Sequence, residues 1–441
     1  MTSKIVVNNI EPDAGISTVS ILGIATATKF IGDIEGGVTG NVTGNVTGSS
    51  GSCTGNAATA TVASGITTTA SVNTSGIVTA TAFVPTTGQL SHRNIIVNGA
   101  MLVAQRGVSS TTNGYGSVDR FQGTFSATDE SPTHTQHTLT SSDTGPYAEG
   151  FRKSFHVQNG NQTGGAGASD FIRLWHKIEA QDLANSGWNY TSSSSYITLS
   201  FWVKASVTQT YYVQMRTAQG TSKSYYFAMN LSANTWTKVT HSIPGHADLT
   251  FGNDTGEGIY IAWYTFRGTN NTGTVTANQW NNWSGSTITP DQTTTWYTTN
   301  DSTFEITGVQ LEVGTVSTPF EHRSVGDELT RCQRYYQQYV NPCCTGVIPD
   351  NGSKAYSIGL QFQTRMRATP TTAITNAGTG GNVSDGQSTQ TIASLNAADG
   401  NVDGMSIYLN LNGDLGDFRP ACLGLNDSTT NTTTYKLTAE I

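Results

Sequence analysis

A four-residue repeat near the N-terminus is the feature that most limits how this chain can fold. It reads GGVTGNVTGNVT from Gly36 to Thr47, within a stretch from Gly36 to Leu90 that contains no charged residue. In an extended chain, alternate side chains point to opposite faces, so glycine and valine share one face while threonine and asparagine dominate the other. One such strand cannot bury its valine row, because even two paired strands are only marginally stable in water.

Several copies of the chain running side by side can bury these valines at a common axis, where the glycines let the backbones approach closely. We therefore predict an intertwined fibrous stalk over residues 36–90, with Val38, Val42 and Val46 at the interface between chains. The alternative is a disordered linker, since tracts of glycine, serine and threonine often have no fixed structure. The strict recurrence of valine opposite a polar face favours the fibre.

The whole sequence is poor in charge and rich in turn-forming residues. Among 441 residues, 12% are charged and 48 are glycine, which disfavours long surface helices and suits short strands joined by turns. The net charge is -8, and no run of lysine and arginine offers the basic surface that nucleic-acid binding requires. The N-terminus carries acids where a secretion signal needs an apolar run, and no apolar span reaches the roughly 18 residues that cross a membrane.

The cysteines indicate assembly in a reducing cytosol. Their odd number, wide spacing and single adjacent pair fit neither a disulfide framework nor a zinc site. We therefore predict free thiols throughout. The cysteines are Cys53, Cys332, Cys343, Cys344 and Cys422.

After about residue 94 the sequence predicts a series of strands without intervening helices. Spacers rich in glycine, asparagine, serine and threonine separate them, and residues 126–170 and 267–300 are read as long loops. This pattern is typical of an antiparallel β-sandwich or barrel. The predicted strands are Ile197–Val203, Tyr211–Met215, Tyr225–Met229, Trp236–His241, Ile259–Tyr264 and Phe304–Leu311.

A helix is predicted at about 325–340, between this β region and a second one. Ser324 and Asp327 have the spacing of a capping box, and Pro342 would end the helix. Apolar and aromatic residues recur at helical spacing within it, namely Leu329, Cys332, Tyr335, Tyr336 and Tyr339. The last hundred residues alternate again, at 356–362, 406–411 and 435–441, which predicts a small C-terminal β domain.

No catalytic motif is present in the sequence. Glu305, Glu312 and Glu321 are carboxylates of the type used in glycoside hydrolysis, but no local pattern places two of them across a sugar ring. His134 and His137 fit a solvated loop better than a metal site, and Asp119 and Arg120 are read as a structural pair at the sandwich edge. We expect no enzyme activity, no metal and no cofactor.

Several large aromatic residues lie in polar, turn-rich segments, where we expect them to be exposed. A sugar ring offers apolar C–H faces and outward hydroxyls, which an aromatic platform and neighbouring amides can match. The alternative is that these rings close the ends of the sandwich. Trp202, Trp236 and Trp263 lie within strand runs and are predicted to be core. The glycan-binding candidates are Trp188, Tyr190, Trp280, Asn281, Trp283, Trp296 and Tyr297.

Several segments together resemble bacteriophage tail-fibre proteins. The similar segments are ITGVQLEVG (Ile306–Gly314), TPFEHRS (Thr318–Ser324), ELTRCQRYY (Glu328–Tyr336), NIIVNGAMLVAQRG (94–107), VDRF (118–121), the GNVTGNVTG and GNAATATVA runs, and MRATPT (366–371). The opening SKIVVNNIEPDAG is similar to fibre starts in phages of marine cyanobacteria. The resemblance implies a carbohydrate-binding jelly roll in a homotrimeric virion fibre; calcium in that module, common in sugar-binding relatives, has no specific motif here.

These observations predict a mainly β homotrimer that adheres to a host-surface polysaccharide or lipopolysaccharide without catalysis. It would be a virion protein assembled in the host cytoplasm, bound to a baseplate, tail or other virion protein at its N-terminus. Alternatives are a purely structural or decorating fibre and, less favoured, a polysaccharide depolymerase. At the threefold axis, Leu329, Cys332, Tyr336 and Tyr339 would face partner chains. The predicted parts are a virion-attachment segment (1–35), the stalk (36–90), a jelly-roll β-sandwich (91–323), a linking helix (324–341) and the C-terminal β domain (342–441).

Overall fold

The computed structural model describes residues 91–340, 343–348, 354–357, 359–375, 382–385, 388–415, 420–424 and 434–441. All of them belong to one compact unit, Ala80–Ile441. The predicted attachment segment and stalk, with Val38, Val42 and Val46, lie outside the described residues. In the part of the chain that the structure describes, no helix is both long and apolar enough to span a membrane.

Residues 91–323 are dominated by β-strands, with short helical segments between some of them. The strands are β1 (Ser109–Ser110), β2 (Phe121–Ser126), β3 (Thr133–Thr138), β4 (Lys153–Gln158), β5 (Phe171–Glu179), β6 (Tyr196–Ala205), β7 (Gln209–Thr217), β8 (Lys223–Leu231), β9 (Thr237–Pro244), β10 (Glu257–Arg267), β11 (Trp280–Asn282) and β12 (Thr303–Val313). The helical segments are α1 (Ala180–Ala184), a 3₁₀ turn (Thr269–Asn271) and α2 (Thr295–Thr298).

Two six-stranded antiparallel sheets pack as a β-sandwich. The first sheet has the order β1-β3-β4-β12-β6-β9, and the second has the order β11-β8-β7-β10-β5-β2. Strand β6 illustrates the pattern, because Leu199, Phe201 and Val203 are buried between the sheets while Trp202 and Lys204 point to the other side. The predicted mainly β, antiparallel sandwich is confirmed.

All six strands predicted in this region are present, with ends that differ by a few residues. The two long loops were predicted wrongly, because 126–170 contains β3 and β4 while 267–300 contains β11 and α2. Strand β3 lacks apolar alternation since a buried histidine, His134, takes an inward position. Its ring nitrogens are satisfied by the Ser117 hydroxyl at 3.0 Å and the Thr112 carbonyl at 2.8 Å.

The segments that carry the tail-fibre resemblance meet in space. The Asn94 side-chain amide donates to the Val309 carbonyl at 3.1 Å, and the Leu311 N–H donates to the Asn94 side-chain oxygen at 3.1 Å. The Asn98 amide donates to the Val103 and Asp119 carbonyls, both at 2.9 Å. The side chain of Asn94 therefore joins the 94–107 segment to Ile306–Gly314, and that of Asn98 joins it to the 118–121 segment.

The helix predicted at 325–340 is shorter in the structure. Helix α3 spans Val325–Gln333, and the Ser324 hydroxyl caps it by accepting a hydrogen bond from the Asp327 N–H at 3.1 Å. The chain then continues as strand β13 (Tyr336–Val340), which pairs with β22 (Thr434–Thr438). Part of the tyrosine spacing that predicted helix therefore belongs to a strand, because pairing with the C-terminal strand overrides local helical preference.

Two of the predicted trimer contacts in this segment are wrong. Cys332 and Tyr336 are 1% and 2% exposed and lie inside their own chain. Cys332 is a free thiol, and the Tyr336 ring lies 3.7 Å from the Arg106 guanidinium carbon. Leu329 and Tyr339 are half-buried. The homotrimer itself stays a prediction.

The remaining strands form two antiparallel sheets with their own buried cluster, which includes Ile348, Leu409 and Leu437. A three-stranded sheet has the order β13-β22-β17, and a larger one has the order β15-β14-β21-β18-β19-β20-β16, in which β15 also pairs with β20. These strands are β14 (Cys343–Val347), β15 (Lys354–Ser357), β16 (Leu360–Gln361), β17 (Thr371–Thr375), β18 (Asn382–Ser384), β19 (Thr389–Gly400), β20 (Gly404–Leu411) and β21 (Pro420–Gly424).

The C-terminal residues are tied to the sandwich by buried charges. Glu440 pairs with Arg106 at 2.9 Å and with the fully buried Arg120. Asp119 instead accepts a hydrogen bond from the Gln105 N–H at 3.0 Å and lies 3.6 Å from Arg106. The predicted Asp119–Arg120 pair at the sandwich edge is therefore wrong, because each residue has its own buried partner.

Candidate functional site

Four of the aromatic residues predicted to bind glycan are core residues. Trp188, Trp280, Trp296 and Tyr297 are 3%, 9%, 0% and 1% exposed. Their polar atoms are satisfied internally: the Trp280 indole donates to the Pro244 carbonyl at 2.7 Å, and the Tyr297 hydroxyl donates to Asp170 at 2.9 Å. All four rings belong to the hydrophobic core of the sandwich. The expectation that these four rings are exposed is therefore wrong.

The other three candidates lie nearer the surface. Tyr190 is half-buried at one end of the sandwich, with its ring 4.9 Å from that of Phe251. Trp283 and Asn281 are half-buried at the β11 edge of the second sheet. The Trp283 ring lies 3.7 Å from the Arg216 guanidinium carbon. Trp283 thus lies beside a surface that was not predicted from the sequence as a binding site.

That surface is the outer face of the second sheet, which turns away from the sandwich core. One row of side chains crosses five strands, because the pairing register places them side by side. In order across β2, β5, β10, β7 and β8, the row is Gln122, Trp175, Ala262, Gln214 and Tyr226. Trp175 is half-buried, whereas the other four are buried, in part beneath the segment that contains Ile288. Four spacings between neighbouring strands make the row about 19 Å long.

Trp175 lies on β5, one strand in from the β2 edge, among cations of its own strand. Arg173 and Lys177 occupy the alternate positions on either side of it in β5, so all three share the outer face. The Arg173 guanidinium carbon is 3.9 Å from the ring centroid, and the Lys177 ammonium is 4.6 Å away. The indole N–H donates to Gln122 at 2.6 Å. Half-buried Trp175 is thus held by a cation–π stack.

Tyrosines surround a single glutamine at the centre of the face. The Tyr260 and Tyr264 hydroxyls donate to the Gln214 side-chain oxygen at 3.2 and 2.9 Å, and the Gln214 amide lies 3.2 Å from the Tyr226 hydroxyl. Burial raises the pKa of Tyr260 and Tyr226, so both phenols stay protonated. Ile288 packs here too, separately from the sandwich core.

Arginines on this face have polar groups that the described residues leave unused. Within the part of the chain that the structure describes, Arg173, Arg216 and Arg267 form no ion pair with a carboxylate. The buried N–H groups of Arg216 Nε, Arg267 Nε and Trp283 Nε1 have no hydrogen-bond partner there. Unpaired buried donors also occur away from this face, at Arg120 Nε and Trp263 Nε1, so what sets the face apart is that its guanidinium groups have no carboxylate partner among the residues that the structure describes.

The sequence contained a signal for this face that was missed. In FIRLWHKIE, the polar and aromatic residues Arg173, Trp175 and Lys177 alternate with buried Ile172 and Leu174. An aromatic ring at an outward position of a strand, flanked by two cations, is the pattern to look for. Most of the tryptophans predicted to be exposed in polar segments are instead buried in the core of the sandwich.

The remaining candidate groups do not converge. His134 and His137 lie on β3 rather than in a loop, and their spacing of three positions places them on opposite faces of the strand. His137 contacts Glu305 at 3.2 Å. Glu312 accepts hydrogen bonds from Thr318, whose N–H lies at 2.8 Å. Among the described residues, no group of three or more acidic, histidine or cysteine side chains is arranged to hold a metal.

Comparison with known proteins gives partial structural matches. No protein-family model and no curated protein matches the sequence. Among solved structures, the enzymatically active domain of bacteriophage CBA120 tailspike protein 4 matches with 11% identity and a TM-score of 0.27, covering 50% of this chain and 21% of that chain.

Carbohydrate-binding modules are also among the matched structures. The family 11 carbohydrate-binding module of a Clostridium thermocellum cellulosomal cellulase has 9% identity and a TM-score of 0.23, covering 49% of this chain and 98% of its own. The N-terminal cellulose-binding domain of Cellulomonas fimi β-1,4-glucanase C has 9% identity and a TM-score of 0.24, covering 49% and 99%.

Proposed function

We propose that this chain is a virion fibre protein that binds a surface glycan through the outer face of the second sheet, without cleaving it. The observation that carries the glycan-binding part is that half-buried Trp175 and Trp283 each lie beside a guanidinium that has no carboxylate partner among the described residues. These groups lie on a sheet face that the sandwich core does not use.

The chemistry of this face matches that of a sugar chain. Indole rings pack against the apolar C–H faces of a sugar, and guanidinium and amide groups hydrogen-bond to its hydroxyls. Trp175 on β5 and Trp283 beside β11 are four strand spacings apart, about 19 Å, which suits several linked sugars better than one small molecule. The polar groups that we assign to binding are cationic or neutral, whereas glycoside hydrolysis uses a pair of carboxyl groups. A non-catalytic role follows from this assignment.

The fibre part of the proposal rests on the sequence. The valine–glycine repeat and the resemblance to tail fibres favour a homotrimer that is attached to the virion at its N-terminus. Three copies of a weak site on one fibre, and several fibres on one particle, would give avidity that a single site lacks. Native mass spectrometry tests the homotrimer directly, because it predicts a species of three chains of 46.7 kDa each.

The test of glycan binding is a printed array of bacterial capsular polysaccharides and lipopolysaccharides, probed with the full-length protein. We expect binding to at least one polysaccharide and a loss of about tenfold or more in Trp283→Ala. Tyr190→Ala is the matched control, since Tyr190 is also a half-buried aromatic residue but lies at the end of the sandwich. Binding that is lost in Tyr190→Ala and kept in Trp283→Ala would place the site at the end. No binding to any printed glycan would favour the purely structural fibre.

A further inference from the structure

We infer that the outer face of the second sheet selects acidic glycans, and that Arg173 and Arg267 together hold the carboxylate or sulfate of the sugar chain. This inference rests on the proposed glycan-binding function and names its ligand class. It comes from the placement of the arginines on this face and from what surrounds them.

The two arginines converge on the same pair of rings. The guanidinium carbon of Arg173 is 5.9 Å from the Tyr264 ring centroid, and that of Arg267 is 5.8 Å from it. The corresponding distances to the Phe171 ring are 5.5 and 4.9 Å. Strand pairing explains this, since β5 and β10 place Phe171 opposite Arg267 and Arg173 opposite Tyr264. Two like charges are thus held close together on neighbouring strands.

Among the described residues, no carboxylate acts on Arg267 closely enough to balance the charge of this pair. The face does carry one carboxylate, Glu257, but it pairs with Lys177 at 2.8 Å. Asp291 lines the same small cavity of about 80 Å³ as Arg267, and it accepts a hydrogen bond from the Thr272 hydroxyl at 2.6 Å. Asp170, nearby, accepts from Tyr297. The neighbouring acids are therefore engaged elsewhere.

Arg267 is unusual because it is deeply placed. It is 8% exposed, and its Nε has no hydrogen-bond partner among the described residues. Burial lowers its pKa, and the charge of Arg173 acts in the same direction. An anionic ligand beside the exposed edges of the two guanidinium groups relieves this cost, because it neutralises the repulsion between them.

A third arginine extends the same chemistry along the face. Arg216 lies on β7, on the other side of Tyr260, and its guanidinium carbon is 5.7 Å from that ring. It stacks on Trp283, and its Nε is also unpaired among the described residues. Cations therefore flank the tyrosine cluster on both sides. That spacing suits a polymer that carries a negative charge on repeated sugars rather than a single anion.

Overall charge makes this face distinctive. The whole chain has a net charge of -8, which repels polyanions at long range. Arginines without a carboxylate partner on one face of such a chain create a local exception. Arginine is well suited to carboxylate and sulfate because its planar fork can donate two parallel hydrogen bonds.

The test compares polysaccharides that differ only in charge. Isothermal titration of the full-length protein uses dextran against dextran sulfate, and polygalacturonate against its fully methyl-esterified form. Each pair keeps the sugar backbone and removes the anion, and the two pairs separate sulfate from carboxylate. We expect at least one acidic form to bind about tenfold or more tightly than its neutral partner, with affinity falling as salt rises.

Variants locate the anion site. Arg173→Gln should weaken binding of the acidic form about tenfold and leave binding of any neutral form unchanged. Arg173→Lys keeps the positive charge but loses the planar guanidinium, so its affinity should lie between those of the parent chain and Arg173→Gln. Because Arg173 also donates to Thr124 at 3.0 Å, Arg216→Gln is the second variant, and circular dichroism checks that each variant is folded. Arg152→Gln is the matched control, since Arg152 also stacks on an aromatic ring, Tyr147 at 3.9 Å, but is exposed elsewhere.

Each outcome decides the inference. Equal binding of acidic and neutral forms overturns it while the glycan-binding function stands. Duplex DNA bound as tightly as the acidic polysaccharides overturns it too, because the face would then select charge without sugar. Loss of binding in Arg152→Gln, or none in both Arg173→Gln and Arg216→Gln, refutes the assigned site. If none of the four polysaccharides binds, the inference is wrong, and the polysaccharide array still decides the function separately.

Discussion

The outer faces of the two sheets contain the same kinds of side chain but use them differently. On the first sheet, Lys204 pairs with Asp143 at 3.1 Å and with Glu305 at 3.2 Å. Two indole N–H groups there are also satisfied, because Trp202 donates to Glu149 and Trp236 donates to Asp143, both at 3.0 Å. Each cation and each indole in this group has an acidic partner from the same chain.

On the second sheet, Lys177 and the Trp175 indole have partners in Glu257 and Gln122, but Arg216 and Trp283 have no such acceptor among the described residues. Arg216 and Trp283 stack on each other, yet both have a buried N–H without an acceptor. A tryptophan beside a cation is therefore not by itself a sign of a binding site. What separates the two faces is whether the donors are already satisfied, so changes on the first face should affect stability and changes on the second should affect binding.

The largest expected effect is on the first face, in Glu305→Ala. This carboxylate is buried and accepts a hydrogen bond from the Ser154 hydroxyl at 2.9 Å as well as pairing with Lys204. Its removal leaves Lys204 partly buried without that partner, so we expect the free energy of unfolding to fall by about 3 kcal/mol in urea denaturation. Glycan binding by the folded variant should not change.

The matched variant on the second face is Glu257→Ala. Glu257 pairs with Lys177, but that pair is more exposed to solvent, so the loss of stability should be no more than about 1 kcal/mol. Equal losses of stability in the two variants would contradict the difference that we draw between the faces.

The dependence of stability on pH gives the next largest effect. Burial opposes ionisation of Glu305, but the hydrogen bond with His137 and the charge of Lys204 outweigh it and lower its pKa to about 2. A carboxyl whose pKa is lowered by folding stabilises the protein above its ordinary pKa, and this stabilisation is lost as the pH falls toward 2. We expect a loss of about 3 kcal/mol over that range, measured as a shift in the urea midpoint.

Neighbouring groups set the control for this measurement. Asp143 also has its pKa lowered to about 2, with burial opposing ionisation and hydrogen bonds from Thr140, Trp236 and Lys204 favouring it. It is the more exposed carboxyl, so screening reduces its share. Glu305→Gln should therefore flatten most of the acid dependence. An acid dependence that is unchanged in Glu305→Gln would show that other carboxyls stabilise this face.

The sequence predicted the sandwich well because its strands follow a simple rule. In β6, apolar side chains recur at every second position, and burial between two sheets requires that spacing. In β12 the same spacing is interrupted once, between Ile306 and Val309, where the strand pairing is irregular. Strand β3 was missed because its inward position is filled by His134, a polar residue whose partners come from distant parts of the chain. Local pattern carries no information about such partners.

The site was harder to predict for a related reason. Whether a tryptophan is exposed depends on what the fold brings over it, and the sequence does not give this. Trp296 lies in a polar turn but is buried, and its indole donates to the Thr303 carbonyl at 2.9 Å. Trp202 and Trp236, predicted to be core, are instead half-buried outside it. Only Trp283 and Asn281 of the predicted residues lie beside the proposed face.

The smallest expected effect is also the most direct comparison of the two faces, because one substitution is made on each. Trp236→Phe removes an indole N–H that donates to Asp143, so we expect a loss of about 1 kcal/mol in the free energy of unfolding. Trp283→Phe removes a buried N–H that has no partner among the described residues, so its free energy of unfolding should stay within about 0.5 kcal/mol of the parent chain.

Glycan binding should respond in the opposite order. Trp283→Phe keeps an aromatic ring beside Arg216 but offers a sugar a smaller ring face, so binding should weaken while stability is kept. Trp236→Phe should bind as the parent chain does, because its donor is used within the protein. Urea denaturation and titration with the same polysaccharide measure both quantities on both variants. If Trp283→Phe lost stability and kept binding, its N–H would have a structural partner, and the outer face of the second sheet would resemble that of the first.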